Sequence, residues 1–464
     1  MIMCLCALLL TTCDKNAHEG EVLPSADGGI LNVGLQVEDT DIPVKVVHLF
    51  LFGADDKLKK HEYFENPADV ALQGSNLPAG HYTVIAVMNV PADFIPTNGA
   101  ADAARGTVTR AGSVYADLPD ISLADFMQGL AAASGSHPDM LTGLVQTDLQ
   151  EGEVKQVVVP IKEGMSGVTL PVLHVNFTIP ASGLSDYNPD TRARSASDKG
   201  FVLRCIAEVC RTGTDEVIHR KEALPTPDAD GSYAMDFTLN ESSYDIRLWA
   251  DYVPTASGTS DYHYTTASGL KAISIQTAPY AANTDTKDAA YAFCGDIALT
   301  DGDKTITAEL QRPLAKYRLV ATDVEAYLQF RNRDAAKFPP LEELTAIISY
   351  NGYFPSGFNV VSGKPNGAVG SITYSSALSS VPQDKKEVQI GSDWVFVNGT
   401  ESLVNVAIQI LNKKGEVISQ VKDTPIAYRR NHYTTIKGSF LTAGQSGGNI
   451  QIDTEWDGSH DVEF

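Results

Sequence analysis

The chain has 464 residues, 43% of them hydrophobic and 20% charged. These are the proportions of a soluble globular protein, and at roughly 150 residues per domain the length allows about three domains. Lys and Arg number 35 against 58 Asp and Glu, a formal charge of −23, which repels phosphate backbones and argues against nucleic-acid partners. Past residue 13 no apolar run approaches the ~20 residues of a membrane-crossing helix, so any such attachment is left to the first dozen residues.

Those residues, Met1 to Cys13, read MIMCLCALLLTTC and then turn charged. The apolar run is that of a short secretory signal, without the usual basic start. Leu10-Thr11-Thr12-Cys13 resembles a bacterial lipoprotein signal box, with Thr12 where Gly, Ala or Ser is usual. The expectation is a signal segment over 1–13 ending at an acylated Cys13, then a linker over 14–27. Beyond Cys13 lie only Cys205, Cys210 and Cys294. They make no disulfide framework and no CxxC pair, so they are expected to be buried and inert.

From residue 28 onward the dominant hydrophobic period is two. Leu31, Val33, Leu35 and Val37 alternate with Asn32, Gly34, Gln36 and Glu38. The rhythm returns at 82–87 (YTVIAV), 173–179 (LHVNFTI) and 404–410 (VNVAIQI). Each reads as a strand with one face in a core and one outside, and Gly, Pro, Asn and Asp clusters separate them. Together they predict an all-β chain of β-sandwiches.

Helical signals are few. One covers 122–130 with Ser122 as N-cap, the other 323–336. Three hairpins are predicted where a polar turn joins apolar arms, from 47 (VHLFLFGADDKLKKHEYF), 206 (IAEVCRTGTDEVIHRK) and 408 (IQILNKKGEVISQV). A second unit recurs from 139 (DMLTGLVQTDLQEGEVKQVVVPI) and 291 (YAFCGDIALTDGDKTITAELQRPL), each a strand, an acidic-Gly turn and a strand. Read as domain ends, these divide the chain into 28–166, 167–312 and 313–464; the likeness is loose, and a two-domain division stays open.

No motif carries chemistry. GQSGG at 444–448 fits G-x-S-x-G, but a strand-like run follows it instead of a helix. DTEWDG at 453–458 has Glu455 off the calcium-loop pattern and Phe464 where a bidentate Glu is required. The ten histidines show no metal-ligand spacing. Sequons stand at Asn176, Asn240 and Asn398, two of them on or beside strands. The expected role is structural, with no catalytic residues, cofactor or metal.

Other stretches carry a resemblance. SYDIRLWADYVP at 243–254, YNGYFPSGFNVVSGKPN at 350–366 and IAYRRNHYTTIKGSFLT at 426–442 resemble the C-terminal half of fimbrillin-like proteins of Bacteroides-type bacteria. LPAGHYTVIAVMN at 77–89 and HPDMLTGLV at 137–145 are similar to the N-terminal part of fimbrial anchor subunits of that superfamily. The resemblance implies tandem transthyretin-like (immunoglobulin-like) β-sandwiches on a lipoprotein that reaches the outer membrane and faces outward. Its partners would be the membrane, other fimbrial subunits and host or bacterial surface ligands. In stalk and tip subunits a protease cuts after a basic residue, commonly Arg, removing the first strand, and a neighbour's C-terminal strand fills the opened groove by β-augmentation. On this chain the donor row would be Ile450, Ile452 and Trp456, or else 449–464 is an ordinary last strand. The first arginine is Arg105, and a cut there would halve the first domain. That favours an anchor or adhesin that keeps its first strand and lipid over a polymerising stalk or tip subunit. A surface glycan-binding lipoprotein is the remaining alternative.

Overall fold

A computed structural model describes residues 28–37, 40–66, 70, 77–92, 94, 121–168, 170–179, 200–300, 302–379 and 386–444, with the backbone of 453–456. Among them strands dominate, and there are two α-helices. They divide into two compact units. The first is drawn from Met1–Leu173, Asp236–Ser242 and Ala298–Lys304, the second from His174–Met235, Ser243–Ile297 and Thr305–Phe464.

The first unit opens with β1 (Gly28–Val37), β2 (Val47–Phe52), β3 (Leu58–Phe64), β4 (Leu77–Pro78), β5 (Gly80–Met88), β6 (Leu141–Leu149) and β7 (Val154–Glu163), hydrogen-bonded in the order β3-β2-β5-β6-β7-β1-β4. Helix α1 (Leu123–Ser134) lies between β5 and β6 in sequence. The hairpin expected from residue 47 is β2-β3, turned through Asp56 at φ 56°.

Alternation along β2 serves two cores. Val47, Leu49 and Leu51 enter one cluster with Leu31, Val33, Val159 and Ile161. Phe50 and Phe52 enter another with Ile85, Val87 and α1 residues Leu123, Phe126 and Leu130. Spacing of three and four places the α1 residues on one helix face. Ser122 caps that helix as expected: its Oγ accepts from Asp125 N at 3.1 Å and donates to Asp125 Oδ2 at 2.6 Å. The solvated face expected for β5 is therefore absent. Tyr82 to Met88 are all buried, because α1 covers the side that alternation assigned to water. Val37, at the end of β1, is 46% exposed and leaves the core row.

β6 and β7 pair only at Leu141 with Glu163 and Thr142 with Lys162, then part. β6 continues along β5, and β7 runs parallel to β1 from Ile30–Val154 to Val37–Ile161. The junction leaves no room for side chains. A Cβ on Gly167 would lie 1.9 Å from Thr142 O, and one on Gly143 2.3 Å from Pro160 O.

The chain continues through β8 (Val172–Thr178), β9 (Phe201–Arg211), β10 (Val217–Ala223), β11 (Tyr233–Thr238), β12 (Ser242–Pro254), β13 (Tyr264–Thr265), β14 (Ile273–Ile275), β15 (Ala289–Leu299) and β16 (Lys304–Glu309). Sheets form in the orders β10-β9-β12-β15 and β11-β8-β16. The hairpin expected from 206 is β9-β10, with Gly213 at φ 78° in its turn.

The rest is β17 (Leu314–Ala321), helix α2 (Val324–Arg333), β18 (Thr345–Asn359), β19 (Lys364–Ala377), β20 (Val388–Phe396), β21 (Glu401–Leu411), β22 (Val417–Arg429), β23 (Tyr433–Gly438) and β24 (Asp453–Trp456). One sheet runs β13-β14-β18-β21-β22 with β19 on β18, the other β20-β17-β23-β24. The third expected hairpin is β21-β22, with Gly415 at φ 77°. Along β21, Val404, Val406, Ile408 and Ile410 are buried and Leu403 is 64% exposed, the alternation read from sequence. In α2 the expected helix is present, and Asp323 stands at its N-cap without a side-chain capping bond. Its carboxylate accepts instead from Leu441 N, Thr442 N at 2.8 Å and Thr442 Oγ1 at 2.7 Å.

Candidate functional site

The donor-strand expectation falls on the last strand. β24 pairs antiparallel with β23 of the same chain, with Trp456 opposite Thr434 and Asp453 opposite Lys437. On the inner side β23 runs parallel to β17, from Lys316–Tyr433 to Ala321–Gly438. Ile450, Ile452 and Cys13 lie outside the described residues, as does the side chain of Trp456.

Within the second unit lies a cleft of about 1030 Å³. Its floor is organised by Arg430, on the turn between β22 and β23. The guanidinium donates to Tyr291 Oη at 3.0 Å, Gly363 O at 2.7 Å and Val397 O at 2.9 Å. Arg312 binds Asn431 Oδ1 at 2.6 Å and Asp288 through Nε at 2.9 Å. Asn431 itself sits at φ 59° and Gly363 at φ 63°, and the Gly363 carbonyl is one of those that Arg430 reaches. The arginines are thus committed to holding three loops together, which gives the cleft a rigid wall.

Beside it is a denser polar centre that alternation and motif reading passed over. The segment Thr284-Asp285-Thr286-Lys287-Asp288 is strapped at every residue. Thr284 O accepts from Trp394 Nε1 at 3.1 Å, and Asp285 Oδ1 from Lys316 Nζ at 2.8 Å. Thr286 Oγ1 is 2.8 Å from His263 Nε2. Asp288 holds Arg312, and the Lys287 carbonyl accepts the Tyr264 hydroxyl.

Lys287 Nζ lies 2.7 Å from Asp393 Oδ1 and 2.9 Å from Tyr280 Oη. Asp393 Oδ2 accepts from Tyr280 and, at 2.8 Å, from Tyr350. Tyr317 bonds to both Tyr350 and Tyr374. The Lys287 and Asp393 side chains are 2% and 0% exposed. Burial pulls the Lys287 amine below its ordinary value despite its carboxylate partner. Burial and the Asp393 charge push the Tyr280 and Tyr350 phenols well above 10, so both stay proton donors. Local pattern in the sequence did not point to this centre, since its members come from segments far apart in the chain.

A second buried charge group stands on β9 and β12. Arg204 grips Asp251 with two bonds, at 2.8 and 2.7 Å, and reaches Asp261 at 2.8 Å. This fork geometry is the strong form of the contact. Cys205 and Cys210, on the same strand, are buried free thiols, and burial raises both, Cys210 to about 11. Cys294 is half-buried and also raised by burial. Of the sequons, Asn240 is fully buried, its amide donating to Asp56 Oδ1 at 2.6 Å and its carbonyl accepting from Thr83 Oγ1 at 2.8 Å.

Packed β-sheets with two short helices and a committed, largely internal polar chemistry define an all-β protein of sandwich class. Residues 169–464 match the family described as Family of unknown function (DUF6562), and the chain belongs to that family. No curated protein matches it. Among solved structures it is similar to the fimbrial anchor protein Mfa2 from Porphyromonas gingivalis, at 11% identity over 61% of this chain and 98% of that one, with a TM-score of 0.36. The tip fimbrial protein Mfa3 of that organism, with a C-terminal truncation, matches at 12% identity over 62% and 99%, TM-score 0.32. A fimbrial assembly protein from Parabacteroides distasonis matches at 12% over 62% and 96%, TM-score 0.33.

Proposed function

We propose that this chain is a lipid-anchored protein of the bacterial outer surface, acting as a fimbrial anchor, accessory subunit or adhesin. The reading rests on the fimbrillin-like segments at 77–89, 137–145, 243–254, 350–366 and 426–442. The single observation that carries the anchor form is the place of β1. It is paired along β7 from Ile30 to Val37, and at Gly28 and Gly29 with β4, and it buries Leu31 and Val33 in the first core. Removing it would uncover Val159 and Ile161 along a whole edge. A chain that keeps β1 keeps its own groove closed, and stays attached through whatever precedes it.

Cys13 is the lipid site in this reading. A lipoprotein cysteine carries more than one acyl chain, and at ~0.8 kcal/mol per buried methylene two chains anchor stably. In this reading the last segment, with Ile450, Ile452 and Trp456, is the candidate donor to another subunit, the alternative being that it stays as the chain's own final strand beside β23. The reading takes 28–166, 167–312 and 313–464 as its domains, with a two-domain division as the alternative.

The test is mass spectrometry of the protein purified from its native membrane. An acylated N-terminus at Cys13 with β1 intact supports the anchor. A mature start beyond Gly28 overturns it in favour of a processed stalk or tip subunit. Cys13→Ser should release the protein from membranes and leave its β content unchanged.

A further inference from the structure

Three features make the Lys287–Asp393 contact unlike a surface ion pair. Both side chains are sealed from water, at 2% and 0% exposure. Both are fixed at the backbone: Asp393 lies in β20 opposite Tyr317 of β17, and Lys287 lies in the strapped segment with its carbonyl bonded to Tyr264. And the carboxylate oxygen away from the amine, Oδ2, receives two phenol donors, Tyr280 and Tyr350. An amine 2.7 Å from one carboxyl oxygen is held next to the carboxyl carbon, and the two donors on the other oxygen stand where negative charge develops in acyl transfer to nitrogen.

We propose that Lys287 and Asp393 condense spontaneously after folding to a side-chain amide that locks the 284–288 segment to β20. The step needs no cofactor and balances within the pair. A proton passes from the Lys287 ammonium to Asp393 Oδ1, giving the neutral amine and neutral acid that a dry site favours over two charges. The amine lone pair then attacks Cγ, forming the C–N bond, and the charge that develops on Oδ2 is held by the Tyr280 and Tyr350 hydroxyls. Nitrogen gives up a proton directly to the departing Oδ1, the oxygen it already lies against at 2.7 Å. The Cγ–Oδ1 bond breaks and one water leaves. The sum is an ammonium and a carboxylate going to an amide and water.

Fixed neighbours of this kind reach effective molarities of roughly 10⁵–10⁸ M, which drives a condensation that is unfavourable between free molecules. The lowered basicity of the Lys287 amine acts in the same direction. The product joins residues 106 positions apart. It would give a chain whose described cysteines are all unpaired a covalent brace of the kind disulfides supply elsewhere. It does not depend on where the chain is displayed.

Peptide mapping of the folded full-length protein decides it, under denaturing trypsin digestion. Without the link, trypsin releases residues 272–287, ending at a free Lys287, and separately residues 387–413. With the link, cleavage after Lys287 fails, and residues 272–304 appear joined to 387–413, one water lighter than the sum of the two. Asp393→Asn should give the same branched peptide with loss of ammonia in place of water. Lys287→Met should abolish it. Tyr350→Phe, which leaves the ion pair in place, should slow its appearance after refolding at least tenfold. Quantitative recovery of linear 272–287 from folded wild-type protein overturns the proposal, and so does a branched peptide that survives Lys287→Met.

Discussion

Asn240 donates its side-chain amide to Asp56 Oδ1 at 2.6 Å across 184 positions of sequence. It joins the first hairpin's turn to a segment that returns to the first unit more than a hundred residues later. Thr83 Oγ1 completes the group at 2.8 Å, and Asn240 and Thr83 are fully buried. A buried group stripped of its partner costs about 1–3 kcal/mol. Asn240→Ala should lower the stability of the first unit by about that amount and leave the second unit's transition in place, as read by denaturant unfolding with a probe in each unit. The same burial forbids glycosylation at this sequon, so expression in a glycosylating host should leave Asn240 unmodified.

Gly167 and Gly143 define the corner where β6 and β7 part. Gly167→Ala places a methyl group 1.9 Å from Thr142 O, and backbone must move to admit it. Overpacking of this kind costs typically about 1–3 kcal/mol. The variant should unfold at correspondingly lower denaturant, while Gly80→Ala, whose Cβ meets nothing within 4 Å, should not.

Two histidines tie stability to acid. Burial, then the neighbouring His48, lowers His61 to about 3, and burial, then Lys287, lowers His263 to about 3. Each stays neutral in the folded protein while the unfolded chain protonates it near 6.5. Their contribution is therefore complete above pH 6.5 and is lost as pH falls from 6.5 towards 3. The slope is at most about 1.4 kcal/mol per pH unit for each histidine. Denaturant midpoints measured from pH 7 to pH 4 should fall steadily, and His61→Gln should flatten the first unit's decline alone.

Thiol reactivity should follow burial. Cys205 and Cys210 are both enclosed and both held as thiols at neutral pH. Iodoacetamide at pH 7.5 should leave them unmodified in the native protein over hours and label them within minutes in denaturant. Rapid native labelling of Cys205 would show that β9 opens far more readily than its pairing with β12 implies.

Much of this is legible in the sequence alone. The three hairpins from 47, 206 and 408 follow from apolar arms and turn residues alone, since a strand's alternation and a turn's positive φ are settled within a few residues. Ser122 announces α1 for the same local reason. The acidic-Gly turns after β6 and β15 were also visible as strand-turn-strand units. What they do was not: each sends its two strands in different directions, β7 to β1 and β16 to β8, instead of closing a tight hairpin. Sequence shows that two strands follow one another, but their partners are chosen by which apolar faces can be covered together.

The polar interior was hidden for a related reason. Lys287 reads as a turn lysine and Asp393 as the outward residue of an alternating strand, and nothing in either neighbourhood points to the other. Composition and periodicity by themselves determined the all-β class, the hairpins and the two helices. Those properties depend on side-chain spacing over a few residues. Only the tertiary structure decided that β5 is buried on both faces, that β1 and β23 run parallel to their partners, and that a lysine, an aspartate and a ring of tyrosines meet in one dry centre. Those depend on contacts between segments tens to hundreds of residues apart, which hold only once the cores around them have closed.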